Sequence, residues 1–206
     1  MNSAKEVISP LSLVPPIGLF MAMARGYCVT FDAGENYVKQ TIRNRYHILA
    51  ANGVQALTIN VVGQKGTKIQ TAEVLIDYEK DWVRIHKRAI ESAYRSSPFF
   101  DHYYPKITSL LNAKHKTLKS FFDESIITWC SLLRMEGKFT ISQEYVEKDV
   151  AYDLRLPIKS PDQFPRGFDC RGYLQVFSDR FDFVQNLSVI DLLFNEGPAA
   201  LTILKG

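Results

Sequence analysis

Between Tyr37 and Arg45 the chain reads Tyr-Val-Lys-Gln-Thr-Ile-Arg-Asn-Arg, with three cations (Lys39, Arg43 and Arg45) and no acid, in a sequence whose charges are otherwise mixed. Such a block suits an anion. Arginine offers a planar fork for phosphate or carboxylate, and lysine adds a mobile point charge. Tyr37 and Asn44 stand where they can orient what the cations hold. The same residues also suit a solvated turn and strand edge, where cations discourage edge-to-edge aggregation, and composition by itself favours that plainer role.

Other residues could handle protons or bind polar groups. Asp32 closes an apolar run, and α/β folds present ligand-binding groups at the carboxyl ends of strands; it is equally a turn-initiating aspartate, with Gly34 two residues on. His86 is a candidate base, although its place on an apolar helical face with Trp82 and Ala89 favours a hydrogen-bonded core histidine. The stretch Tyr94 to Tyr104 gathers hydroxyls, an arginine and aromatics, a composition that suits a sugar or base as well as packing. His47, His102 and His115 have no partner at metal-ligand spacing, so no metal is expected. There is no Gly-rich phosphate loop, G-x-S-x-G elbow or Cys-His pair, and no cofactor is indicated.

The elements that must position these residues can be read from punctuation and period. Pro15-Pro16 before Ile17 to Arg25, and Gly26 after it, predict a helix. Tyr27 to Asp32 has strand composition. Arg45 to Ala50 and Gln55 to Val62, joined through Asn52-Gly53, predict a hairpin, because Asn-Gly supplies the positive φ of a tight turn. The second arm is almost continuously apolar, which predicts a central strand covered on both faces with Ala72 to Asp77 as its neighbour. Helical periodicity follows over Asp81 to Arg95, with Ile85 on the apolar face, then Phe99 to Asn112, and Thr117 to Glu136 ended by Gly137. A strand over Lys138 to Ser142, a long surface loop over Leu156 to Gly172, a strand over Tyr173 to Phe177 and a helix capped by Asn186 and running to Asn195 complete the reading.

The order describes an α/β (or α+β) chain, with a mixed sheet from the first third plus a late strand and a helical middle. At 206 residues we expect one domain spanning 1–206, within which 80–137 could form a helical subdomain. A net charge of +3 is too mild for a nucleic-acid partner. Three scattered cysteines fit a reducing compartment. The apolar stretch Val7 to Ala24 is broken by Pro10, Pro15 and Pro16, so neither a membrane span nor a leader is expected, and the location expected is cytoplasmic.

Several blocks, taken in order, resemble the WbqC-like protein family: Asn36 to Arg45, Ala51-Asn-Gly53 with Leu57-Thr-Ile, Trp82 with His86, Ser92-Ala-Tyr94 with Ser97 to Phe100, and Leu187 to Pro198. Carried over position by position, the family-like polar residues are Tyr37, Lys39, Arg43, Asn44, Arg45, His86, Tyr94, Ser188, Asp191 and Asn195. The resemblance implies a bacterial protein associated with surface polysaccharide (O-antigen) gene clusters. Leu13, Gly18, Leu19 and Gly34 stand where the family tends to carry aromatics or, at Gly34, a histidine.

Residues and resemblance together lead to two expectations. The first is a transferase-type enzyme acting on an activated sugar or amino sugar. Asp32 or His86 would handle protons, and Tyr37, Lys39, Arg43, Asn44, Arg45, Tyr94, Asp191 and Asn195 would bind an anionic small molecule such as a nucleotide sugar. A variant of it places phosphate at the N-terminus of the helix after Pro15-Pro16. The second is a non-catalytic scaffold of the same pathway. An oligomer is compatible with either.

Overall fold

The computed structural model describes residues 5–63, 68–136 and 139–206. Four parallel strands form one sheet in the order β5 (Phe139–Ser142), β2 (Cys28–Asp32), β1 (Glu6–Pro10), β6 (Tyr152–Asp153). The antiparallel pair, β3 (Arg45–Ala50) and β4 (Gly53–Thr58), stands as a separate hairpin. The chain is α/β, with its parallel and antiparallel strands in two sheets.

β1 is central because consecutive residues, Val7, Ile8 and Ser9, are all buried, as a strand covered on both faces requires. Its closing Pro10 lacks only a donor that a strand end can spare. A buried helix, α1 (Ile17–Ala24), connects it to β2. Gly26, at φ 84°, ends α1: its N–H donates to Met23 O while Tyr27 N–H reaches Ala22 O, so the last carbonyls are satisfied. β2 then runs beside β1, and the parallel register brings Pro10, Asp32, Ser142 and Asp153 to one edge of the sheet.

The helical middle consists of α2 (Trp82–Tyr94), α3 (Phe100–Asn112) and α4 (Leu118–Leu132). α2 is capped by Asp81 and buries Trp82, His86, Ile90, Ala93 and Tyr94 against β3 and α3, while Ile85, predicted on that face, is exposed. α4 opens on a capping box of Thr117 and Ser120. It stops four residues before the predicted end, because Arg134 takes the left-handed conformation (φ 53°) that the rule reserves for glycine, and Met135 N–H bonds Cys130 O. Gly137 and Lys138, assigned to the helix stop and the next strand, lie outside the described residues. α5 (Val189–Glu196) and α6 (Ala200–Lys205) pack with α1 and close the core.

Four expectations are corrected. β4 is an outer strand with Val54, Gln55 and Ala56 exposed; the buried arm is β3, covered by α2 and α5. Residues 72–77 form no strand beside it but a 3₁₀ turn (Thr71–Glu73) and isolated bridges from Leu75 to Thr117 and Ile76 to Val61. Tyr173 to Phe177 has no ladder: the Gln175 side chain itself receives Val184 N–H and donates to Val184 O. The stretch 156–172 is irregular yet not superficial, since Ile158, Phe164, Phe168 and Cys170 are core residues. No helix among the described residues is long and apolar enough to cross a membrane.

Candidate functional site

At the carboxyl edge of the sheet, Asp32 is fully buried and committed to the chain. Its Oδ1 accepts Gly34 N–H (3.0 Å), and its Oδ2 accepts Val146 N–H (3.0 Å) and Arg155 Nη1 (2.8 Å). Arg155 is shared with Asp153, which raises its pKa and holds Asp153 low despite partial burial. Gly34 is fixed by this arrangement. A Cβ there would come within 2.4 Å of Tyr145 N and 2.5 Å of Glu144 C, both main-chain atoms. The structure thus leaves no room for a side chain at 34, where the family resemblance suggested a histidine. Gly34→Ala is expected to cost about 1–3 kcal/mol in urea unfolding, as overpacking against backbone does; unchanged stability would mean that segment 143–146 lies elsewhere.

The cationic segment divides into residues with different tasks. Arg43 is 1% exposed; its Nε and Nη2 donate to Glu35 at 2.6 and 2.5 Å, and its other bonds go to Thr41 Oγ1 and Arg155 O. Burial raises the pKa of Glu35, against the lowering effect of Arg43. Asn44 is buried as a loop staple, accepting Gln40 N–H and donating to Ile59 O. Lys39 is exposed. Tyr37 has a buried hydroxyl without a hydrogen-bond partner among the described residues, and burial pushes its pKa up to about 12. Arg45 is partly buried, donates Nε–H to Thr58 Oγ1 (2.9 Å), and has no carboxylate at ion-pair distance among the described residues.

The remaining candidates lie apart from this segment. His86 is buried between Tyr46 (Oη to Nδ1, 3.0 Å) and Thr58 O (Nε2, 3.2 Å). Because the carbonyl can only accept, Nε2 carries the proton and Nδ1 accepts from Tyr46. Burial lowers its pKa to about 4. Tyr94 donates to Asp191 Oδ1 (2.8 Å) and accepts Leu49 N–H, while Tyr173 and Gln175 donate to Asp191 Oδ2 at 2.5 and 3.0 Å. Burial raises the pKa of both tyrosines and of Asp191. Asn195 bonds Asp191 O and Ser97. These contacts tie α2, α5 and the 173–184 segment together.

Of the segment's cations, Arg45 lines a hollow. Its polar wall is Arg45, His47, Ser160, Asn186 and Ser188, and its less polar wall is Val14, Pro16, Ile42, Tyr46, Ile158, Pro161 and Phe164, around a free space of about 10 Å³. That is room for one water-sized group. Behind it, Pro16 and Ser188 form a bridge, with Ile17 N–H to Leu187 O and Val189 N–H to Pro15 O, while Ser188 N–H bonds His47 O. Pro16 is the N-cap of α1 and Ser188 that of α5, so two helix starts meet there. Asn186, expected to cap the last helix, instead sits at φ 54° two residues before the cap, with Oδ1 packed on Gly18, where an added Cβ would come within 2.5 Å of Oδ1 and of the Phe164 ring. Ser188 Oγ and Asn186 Oδ1 are buried without a hydrogen-bond partner among the described residues. Burial, then the charge of Arg45, lowers the pKa of His47 to about 4, so the imidazole is neutral at pH 7. The start of α1, a candidate phosphate seat, is covered by this bridge and by Phe164.

Sequence reasoning named Arg45 and quoted Ser188, but assigned His47, Asn186, Glu35 and Arg155 no part in a site. Glu35 stands beside the segment in the chain; Arg155 is over a hundred residues away, and only the parallel pairing of β6 brings it in. Among the described residues, no three of histidine, cysteine, aspartate and glutamate gather closely enough to hold a metal.

A sequence model of the WbqC-like protein family matches residues 12–159, which takes in Arg45, His47 and the segment through Ile158 and stops short of Asn186 and Ser188. No curated protein and no solved structure matches the chain.

Proposed function

The chain belongs to the WbqC-like protein family, and from that membership we propose that it acts in bacterial surface polysaccharide synthesis as a transferase-type enzyme, holding the anionic part of a small molecule such as a nucleotide sugar against Arg45 at the mouth of the small hollow. The observation that carries this reading is the contrast within one segment: Arg43 is neutralised by Glu35, whereas Arg45 faces a hollow without a carboxylate partner among the described residues. A buried or half-buried guanidinium without a counter-charge has its full attraction left for a ligand.

Titration calorimetry with UDP-glucose, UDP-N-acetylglucosamine and UDP-glucuronate tests it. We expect at least one to bind, and Arg45→Ala to weaken that binding tenfold or more, the scale of a lost charge-assisted hydrogen bond. Equal affinity in the variant would sink the reading.

A second reading, a non-catalytic binding protein of the same pathway, is favoured by one observation: Asp32 and His86 have their polar atoms occupied by the chain itself. Binding without turnover of any bound nucleotide sugar, when acceptor sugars are supplied, would select it.

A further inference from the structure

We propose that Thr58 is a positioning residue for the anion site: it turns the Arg45 guanidinium so that the two Nη groups meet the ligand, and it does so without neutralising the charge. The inference rests on the reading that Arg45 holds the anionic part of a nucleotide sugar, and it assigns the contact that presents that cation.

An arginine can grip an anion along either of two edges, Nε with one Nη or the two Nη groups together. At Arg45 the first edge is taken, because Nε–H donates to Thr58 Oγ1 at 2.9 Å, and the side chain makes no other hydrogen bond among the described residues. The end-on edge is what remains. Arg43 shows the other way of holding a guanidinium: Glu35 takes its Nε edge at 2.6 and 2.5 Å, while Thr41 Oγ1 and the Arg155 carbonyl take the rest. A carboxylate orients and neutralises in one contact. A hydroxyl orients the same group and leaves its unit charge for a ligand.

Thr58 is itself held firmly enough to set a direction. It stands opposite Arg45 in the hairpin register, where facing side chains are close neighbours, and its branched Cβ leaves few rotamers for the hydroxyl. On one side the pair is clamped by its chain neighbours, since Ile59 N–H donates to Asn44 O at 2.7 Å and Asn44 Nδ2 to Ile59 O at 2.9 Å. On the other, Thr58 O accepts from His86 Nε2 at 3.2 Å, and His86 Nδ1 accepts from the Tyr46 hydroxyl at 3.0 Å. Asn44 and His86 thus serve the site at one remove, by fixing the residue that aims Arg45. A long side chain fixed before the ligand arrives loses less freedom on binding, which is where the gain in affinity comes from.

Titration calorimetry at pH 7.5 with whichever of UDP-glucose, UDP-N-acetylglucosamine and UDP-glucuronate binds the wild type tightest tests this. Thr58→Val keeps the shape and removes the acceptor, and is expected to weaken binding about five- to tenfold. Thr58→Ser keeps the acceptor and should bind within about twofold of the wild type. Because Thr58 acts through Arg45, adding Thr58→Val to Arg45→Ala should weaken binding no further. In NMR spectra without ligand, the Arg45 Nε–H signal should move in Thr58→Val and return in Thr58→Ser, while the Arg43 Nε–H signal stays in place and reports an intact fold. Wild-type affinity in Thr58→Val, a serine that binds no better than valine, a further loss in the double variant, or an unmoved Arg45 signal each overturns the assignment. If Arg45→Ala weakens binding in any of those cases, the anion-binding reading survives and only this inference falls. If no UDP-sugar binds, or Arg45→Ala binds as the wild type does, both fall together.

Discussion

Arg43→Ala is expected to lose about 3–5 kcal/mol of unfolding free energy, the scale of breaking a buried ion pair by removing one partner. The Arg43 guanidinium is enclosed, and it satisfies Glu35 twice, Thr41 Oγ1 and the Arg155 carbonyl. Its removal leaves the Glu35 carboxylate in a buried place with, among the described residues, only the long side-chain contact from Thr71 (3.3 Å). Glu35 can take up a proton to escape part of the penalty, since burial already raises its pKa. The loss should therefore shrink at acidic pH. Replacing both partners, Glu35→Gln with Arg43→Met, should recover much of it, because no charge is then stranded. Arg45→Ala, two residues on, should change stability by no more than about 1 kcal/mol, as for an exposed or half-exposed charge. Urea unfolding of the four proteins at pH 7.5 measures all of this; similar losses for Arg43→Ala and Arg45→Ala would contradict the division of the segment into scaffold and site.

Stability should also fall by about 2–3 kcal/mol between pH 7.5 and pH 5. His47 and His86 bind protons below about pH 6.5 in the unfolded chain and only near pH 4 when folded, because burial disfavours the imidazolium. Between those values the unfolded state holds more protons, so stability is full above about pH 6.5 and is lost as the pH drops toward 4. At pH 5 the linkage amounts to about 2 kcal/mol for His86, and less for His47, which stands nearer solvent. Glu35 and Asp191, whose pKa values burial raises, act in the opposite sense and soften the slope. Urea midpoints at pH 7.5, 6 and 5 for the wild type and for a His47→Gln, His86→Gln double variant test this. A wild-type midpoint that does not move would contradict the buried, neutral state of both rings.

The parts of this fold legible in the sequence are those set by local chemistry. Asn52-Gly53 announced the hairpin, the 3.6-residue period announced α2, α3 and α4, and Gly26 announced the end of α1. What sequence pattern could not resolve depended on contacts distant in the chain. β1 looked like the start of an interrupted apolar stretch because its partners, β2 and β6, lie on either side only in space. Tyr173 to Phe177 has strand composition, yet the Gln175 side chain takes the place of a ladder. The end of α4 escaped because Arg134, not glycine, adopts the left-handed cap.

The site was half legible for the same reason. Three cations without an acid mark a segment for attention, but which of them is free depends on where Glu35 lies, and that follows from the turn after β2. His47 and Asn186 carry no signal in one dimension. They meet because the bridge between Pro16 and Ser188 joins the two helix starts beside β3.

The most direct test of the central claim is the NMR spectrum of the chain during titration with UDP-glucuronate, followed at the Arg45 Nε–H, the His47 ring and the Ser188 amide. An anion seated beside Arg45 should move these three signals together, raise the pKa of His47 from about 4, and do neither in Arg45→Ala. Shifts confined to Lys39 and Tyr37, or shifts that persist in Arg45→Ala, would contradict it.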